Sequence, residues 1–388
     1  MSSLNMSLFY VLTHSFTLWP EAYKCPENFT SSGVKWPIFG SYLLVSGVLF
    51  LILYLPCLIA ILRVKKLTPA YQLMLAIAIL DIISLIISSL VTGVLDITGT
   101  HFCQHSMFFY INGAITVCAW MTECLACVIL AIERCVEVNP KFFLSFLFGK
   151  KTFCGVMFGI VMYGVYALMF TTPAIFSPEF SCYMFDPMIG RRPSLYHNYA
   201  HAANNLLVAI STTTLYFYLC YYLIFKFGYT TSMWMYKSKR QIVLQGVFLC
   251  FFHSAAAILY EYMQYFTPSM WLIIVGHVVW QWSSGCLSIV YLTLNRTIRN
   301  SVCKMLIPKE IRIRFQMHIG VEEHLAFEKK TISERVTVNA DLSGKQCYVV
   351  CKHPEYGMQF RFLTFGSTYI KKLKAPGFVT FILMAQKN

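Results

Sequence analysis

Residues Met107–Cys135 read MFFYINGAITVCAWMTECLACVILAIERC. From Met107 to Ile132 the run carries a single ionisable carboxylate, Glu123, and no basic residue, and it closes on the charged pair Glu133-Arg134. At about 1.5 Å of rise per residue, roughly 20 helical residues cross a hydrocarbon core about 30 Å thick. The stretch is therefore long enough to span a bilayer. Its terminal charges suit a membrane boundary, where an arginine can reach the headgroups.

Six further apolar stretches accompany it. The seven read as Pro37–Leu62, Tyr71–Leu95, Met107–Glu133, Phe153–Phe176, Ala200–Phe225, Ile242–Phe266 and Trp271–Leu294. Only Thr267–Met270 separates the last two, but Pro268 and the combined length argue for two helices and a tight turn. A composition of 57% hydrophobic and 12% charged residues, with mean hydropathy +0.59, describes a polytopic membrane protein. It overrules the two or three soluble domains that length alone suggests. The expected class is an all-α membrane protein, a seven-transmembrane helix bundle over 37–294. Residues 1–36 form an N-terminal segment, 295–309 a juxtamembrane amphipathic helix, and 310–388 a poorly ordered tail.

Orientation follows from basic residues. The first, third and fifth loops carry Arg63, Lys65 and Lys66, then Lys141, Lys150 and Lys151, then Lys226, Lys237, Lys239 and Arg240. The second, fourth and sixth carry only Arg191 and Arg192. This bias places the N-terminus outside and the tail in the cytosol. The net charge of +14 then marks a face that meets anionic lipid, not a nucleic-acid footprint. Residues 1–22 lack a basic start and a clean apolar core, so the first helix is expected to act as its own insertion signal. Asn28 and Asn5 head glycosylation sequons on the outer segment. Cys25, Cys103 and Cys182 fall outside the spans. Cys103 sits just before the third span and Cys182 in the longest outer loop, so a bridge between them is expected, with Cys25 able to compete for either partner.

Seven spans with an outside N-terminus, Asp81 in the second, Glu133-Arg134 ending the third and a Cys103–Cys182 pair resemble G-protein-coupled receptors. The chain more closely resembles the nematode serpentine chemoreceptors of class T (Srt). The residues that carry this are Tyr54-Leu-Pro-Cys-Leu-Ile-Ala-Ile61, Leu130-Ala-Ile-Glu-Arg-Cys135 with Asn139-Pro140, and Phe185-Asp-Pro-x-Ile-Gly190. Tyr218-Leu-Cys-Tyr-Tyr222 and Tyr291-Leu-Thr-Leu-Asn-Arg-Thr-Ile-Arg299 extend it, so that it covers roughly residues 20–309. The resemblance implies rhodopsin-like topology. It also implies a plasma-membrane receptor of sensory neurons, in the cilium, that couples an external small molecule to a heterotrimeric G protein. Departures from the rhodopsin-like pattern are plain. Cys250-Phe-Phe-His253 stands where that pattern reads Cys-Trp-x-Pro, and Leu287-Ser-Ile-Val-Tyr291 keeps the tyrosine of Asn-Pro-x-x-Tyr without the Asn-Pro.

Within that frame Arg134 is expected to pair with Glu133 at rest and to be released when the cytosolic helix ends part, with Tyr291 holding the opened state. Asp81 lies about 18 Å and Glu123 about 16 Å above the cytosolic edge by helical rise. Two carboxylates at one depth cannot both ionise cheaply, so a sodium ion or a shared proton between them is expected. Asn204, Asn205, Glu261 and His277 are the candidate ligand-binding residues, with Trp280, Trp282, Tyr260 and Tyr265 as aromatic surface. His253 reads as a satisfied core histidine. Cys303 is a candidate palmitoylation site. Cys347-x-x-x-Cys351-x-His353 lacks zinc spacing.

Other classes fit less well. A seven-helix ligand-gated cation channel would place the N-terminus inside, against the charge bias. A transporter would show an internal repeat or matched broken helices, which this sequence lacks. Phosphate-binding glycine loops, His-Glu-x-x-His and nucleophile elbows are missing, which argues against an enzyme.

Overall fold

The computed structural model describes residues 2–27, 33–64, 67–227, 233–266 and 268–315, and three short strands beyond them. Asn28, Lys65 and Lys66 lie outside the described residues. Among those described, seven helices are long and apolar enough to cross a membrane. They are α1 (Pro37–Leu62), α2 (Pro69–Thr98), α3 (Ser106–Val138), α4 (Lys150–Phe170), α5 (Tyr199–Tyr222, continuing as a π turn to Phe227), α6 (Met233–Tyr265) and α7 (Met270–Leu294). A short helix, α8 (Arg296–Leu306), follows and buries Ile298 and Val302 against the bundle.

Local chemistry sets the boundaries. Pro37 and Pro69 open α1 and α2 at positions where a missing N–H costs nothing. Asn139-Pro140 closes α3, five residues beyond the expected end at Glu133. The fourth span is shorter than expected, ending at Phe170 rather than Phe176. Pro173 excludes helix at the residue before it, and the apolar residues that follow pair as a hairpin. That hairpin joins β1 (Ile175–Ser177) to β2 (Cys182–Met184), antiparallel, with Ser181 at φ 51° in the turn.

The hairpin is tied down at several points. Ser181 Oγ donates to Asp96 Oδ2 at 2.8 Å, and Trp36 Nε1 donates to the Pro178 carbonyl at 3.0 Å. Gly113 on α3 permits the approach of the preceding segment, since a Cβ there would lie 2.0 Å from the Ala174 carbonyl oxygen. The N-terminal segment packs on the same end, burying Met6, Val11, Ala22 and Tyr23. Tyr110 Oη donates to the Met6 carbonyl at 2.8 Å and Tyr196 Oη to the Ala22 carbonyl at 2.5 Å.

A disulfide then fixes that segment to the start of α3, and it corrects the expected pairing. Cys103 bonds Cys25, with Cα atoms 5.9 Å apart, and Cys182 is a buried free thiol. The hairpin register turns Cys182 inward, where its sulfur lies 3.5 Å from Tyr260 Oη on α6. Asn5, the other sequon asparagine, is half-buried in the helix Ser2–Asn5.

Beyond Leu306 a second unit begins. Its described parts are the helix Lys309–Arg314 and an antiparallel sheet of β3 (Asn339–Ala340), β4 (Cys347–Lys352) and β5 (Gln359–Leu363). Cys347 and Cys351 fall on β4, while His353 and the rest of the tail expected to be poorly ordered lie outside the described residues.

Candidate functional site

At the end of the bundle that carries the N-terminal segment, a cavity of about 40 Å³ opens among the helices. Trp120 of α3, Tyr260 of α6 and Trp280 of α7 form its aromatic walls, His201 of α5 lies on one side, and Tyr183 of the hairpin covers it. Most polar groups around it are already engaged. Tyr183 Oη donates to Asn112 Oδ1 at 2.7 Å, and Thr116 Oγ1 donates to the Asn112 carbonyl at 2.8 Å. Trp120 Nε1 donates to Asn205 Oδ1 at 2.8 Å, and the Asn205 amide reaches His201 Nδ1 at 3.3 Å. Burial pushes the Cys182 thiol behind Tyr260 up to about 11, so it stays protonated at neutral pH.

The four polar residues expected to meet a ligand do not line this cavity. Asn205 stands behind its wall, and Asn204 Oδ1 accepts from Tyr163 Oη at 3.0 Å on the α4 side. Glu261 lies elsewhere on α6. His277 Nε2 donates to the Ser88 carbonyl at 2.9 Å, its ring edge-on to Trp280 at 5.4 Å. Ser88 lies in a π turn of α2 over Ile86–Val91. Trp280 and Tyr260, expected as aromatic surface, do line the cavity. His201 was legible in principle, since it sits four residues before Asn205 on one helix face. Tyr183 was not, because a loop residue carries no periodic signal.

Deeper in the bundle, Glu123 Oε1 lies 2.5 Å from His253 Nε2, and both side chains are fully buried. Ser84 Oγ donates to Glu123 Oε2 at 3.4 Å. His253 Nδ1 is 3.0 Å from the Leu249 carbonyl, which can only accept, so that nitrogen carries a proton. The contact with Glu123 then needs one more proton, held either by a neutral acid donating to Nε2 or by an imidazolium donating to a carboxylate. In both forms a proton bridges α3 and α6. Trp120 stacks on His253, ring centroids 5.9 Å apart and planes 5° from parallel. Asp81 Oδ2 accepts from Tyr54 Oη. Each carboxylate has a donor of its own, and Asp81 Oδ1 has no partner among the described residues. Helical rise gives depth but not the direction a side chain faces, which is why His253, read from the sequence as a satisfied core histidine, was not expected beside Glu123.

At the opposite end Arg134 is buried and held by two carboxylates. Its Nη1 lies 2.8 Å from Glu137 Oε2 and 3.4 Å from Glu133 Oε2, and its Nη2 approaches Met74 Sδ at 3.4 Å. Glu137, one turn on, is the nearer partner that the sequence reading passed over. Tyr291 is fully buried, its ring edge-on to Tyr54 at 6.2 Å, and its hydroxyl has no hydrogen-bond partner among the described residues.

Comparison with known proteins adds two findings. Residues 6–315 match the family described as serpentine type 7TM GPCR chemoreceptor Srt. The chain is also 24% identical over 287 residues to serpentine receptor class T-55 of Caenorhabditis elegans, covering 73% of this chain and 78% of that protein.

Proposed function

Because the chain belongs to the Srt family of serpentine seven-transmembrane chemoreceptors, we propose that it binds a small external molecule in the cavity beside Trp120 and activates a heterotrimeric G protein at its Arg134 end. In this reading the N-terminal segment faces outside and the basic loops face the cytosol of a sensory neuron, at the plasma membrane of its cilium.

The observation that carries the reading is the double role of one ring. Trp120 walls the cavity and also stacks on His253, which is bonded to Glu123 across α3 and α6. A cavity of about 40 Å³ is small beside the roughly 150 Å³ that accommodates benzene in an engineered apolar cavity. A ligand of more than a few heavy atoms therefore displaces the rings around it. Movement of Trp120 loosens the His253–Glu123 contact, and α6 is released from α3. Arg134 then leaves Glu133 and Glu137 to meet a G-protein segment, with the Tyr291 hydroxyl free to take a new partner in the opened state. A ligand shifts this equilibrium only by its differential affinity for the two forms, and the strained cavity wall supplies that difference.

The deciding experiment measures G-protein activation by a panel of small odorants in cells expressing the chain or its Arg134→Ala variant, with surface expression followed in both. The expected result is a response in the parent that vanishes in a surface-expressed variant. A ligand-evoked current that survives both the substitution and G-protein blockade would overturn the reading in favour of a channel.

A further inference from the structure

Two N–H donors around the cavity have no acceptor among the described residues. Trp280 Nε1 is a buried N–H with no partner among the described residues. The state of His201 follows from its neighbours. Trp120 Nε1 can only donate, so the Asn205 atom it meets is the carbonyl oxygen. The amide nitrogen of Asn205 therefore faces His201 Nδ1 and donates to it. A nitrogen that accepts carries no proton, so His201 is neutral with its proton on Nε2, for which the described residues offer no acceptor. The hydroxyl protons of Thr116 and Tyr183 are already given to Asn112.

We infer that this cavity takes a small uncharged molecule whose polar group is a hydrogen-bond acceptor, a ketone, aldehyde or ester carbonyl set against Trp280 and His201 in an otherwise aromatic enclosure. The inference rests on the reading of the cavity as the ligand site. An unmade buried N–H is the larger deficit, because hydroxyl oxygens that already make one bond are satisfied. Ionised ligands are disfavoured on both signs. No carboxylate among the described residues lines the cavity: Glu123 is engaged with His253 beneath Trp120, and Asp96, behind the hairpin, accepts from Ser181, so an ammonium meets no counter-charge in the walls. Neutral His201 offers none to a carboxylate. An ion entering such a site loses its hydration without replacement.

The test uses the full chain in lipid nanodiscs with four probes of one chain length: 2-heptanone, heptane, heptylamine and heptanoate. Binding is read from the shift in unfolding temperature against concentration, and G-protein turnover is read in parallel. The ketone is expected to act at concentrations at least about tenfold lower than the other three. Trp280→Phe keeps a ring and removes the N–H, so it should weaken the ketone about tenfold relative to heptane, which reads the change in cavity size alone, near the value of one hydrogen bond. The carbonyl stretch of bound ¹³C-labelled ketone gives a reading on the unsubstituted protein and should move to lower wavenumber. Equal affinity for ketone and alkane, tighter binding of amine or carboxylate, an unshifted carbonyl stretch, or no ketone binding would each overturn the inference. Ketone binding with these signatures but no G-protein turnover would support the inference and count against the receptor reading. Turnover driven by the amine alone would do the reverse.

Discussion

Arg134 is held by two carboxylates of unequal reach, and the inequality is testable. Glu137 lies 0.6 Å nearer than Glu133, from 2.8 Å against 3.4 Å. If both restrain the resting state, Glu137→Gln should raise ligand-free G-protein activation more than Glu133→Gln, at equal surface expression. The opposite order would make Glu133 the principal restraint, as the sequence alone suggested. The Glu123–His253 contact makes a second prediction. Interhelical hydrogen bonds in membranes contribute about 1–2 kcal/mol in model peptides, so His253→Phe should shift the resting equilibrium roughly 5–30-fold. A rise in basal activity is expected. Unchanged basal activity in a surface-expressed variant would reduce the pair to packing.

Among the elements, the hairpin and the N-terminal segment decide what the cavity sees. Peptide mapping without reductant should recover Cys25 joined to Cys103 and Cys182 as a free thiol. Because burial holds that thiol at about 11, Cys182 should also resist maleimide at neutral pH while the protein is folded and react once it is denatured. A Cys103–Cys182 peptide would refute the arrangement. Gly113→Ala forces a methyl group onto the Ala174 carbonyl, an overpacking that costs about 1–3 kcal/mol. It should lower the unfolding temperature, whereas Gly159→Ala on α4, which meets open space, should not. Loss of stability in both would point to helix effects unrelated to the hairpin.

At the scale of the molecule, seven apolar helices and the asymmetry of basic loops support one orientation, with the N-terminus outside. Enzymatic removal of glycans from intact cells tests it: a shift abolished by Asn28→Gln is expected. A glycan acquired by an acceptor sequence placed in the tail would reverse the topology. The amphipathic α8 turns Ile298 and Val302 into the bundle, with Cys303 half-buried beside Val302.

The membrane class, the number of spans and the charged close of α3 were legible in the sequence because hydrocarbon imposes its demand residue by residue. Every span must be apolar for about 20 positions, and each must satisfy its own backbone. A turn was legible where proline spoke at Pro268, whereas Pro140 and Pro173, which close α3 and α4, show that the same signal can be overlooked beside an apolar run. The partners of the buried polar groups were another matter. Glu123, His253 and Trp120 meet only because α3 and α6 pack with particular faces together, and helical rise fixes depth without fixing azimuth. Cys103 could reach either of two sulfurs by topology, and the inward turn of β2 chose between them. The sequence by itself determined a seven-helix membrane protein, and only the tertiary structure decided which buried charges meet, because those contacts depend on helix rotation and loop register, which no local pattern encodes.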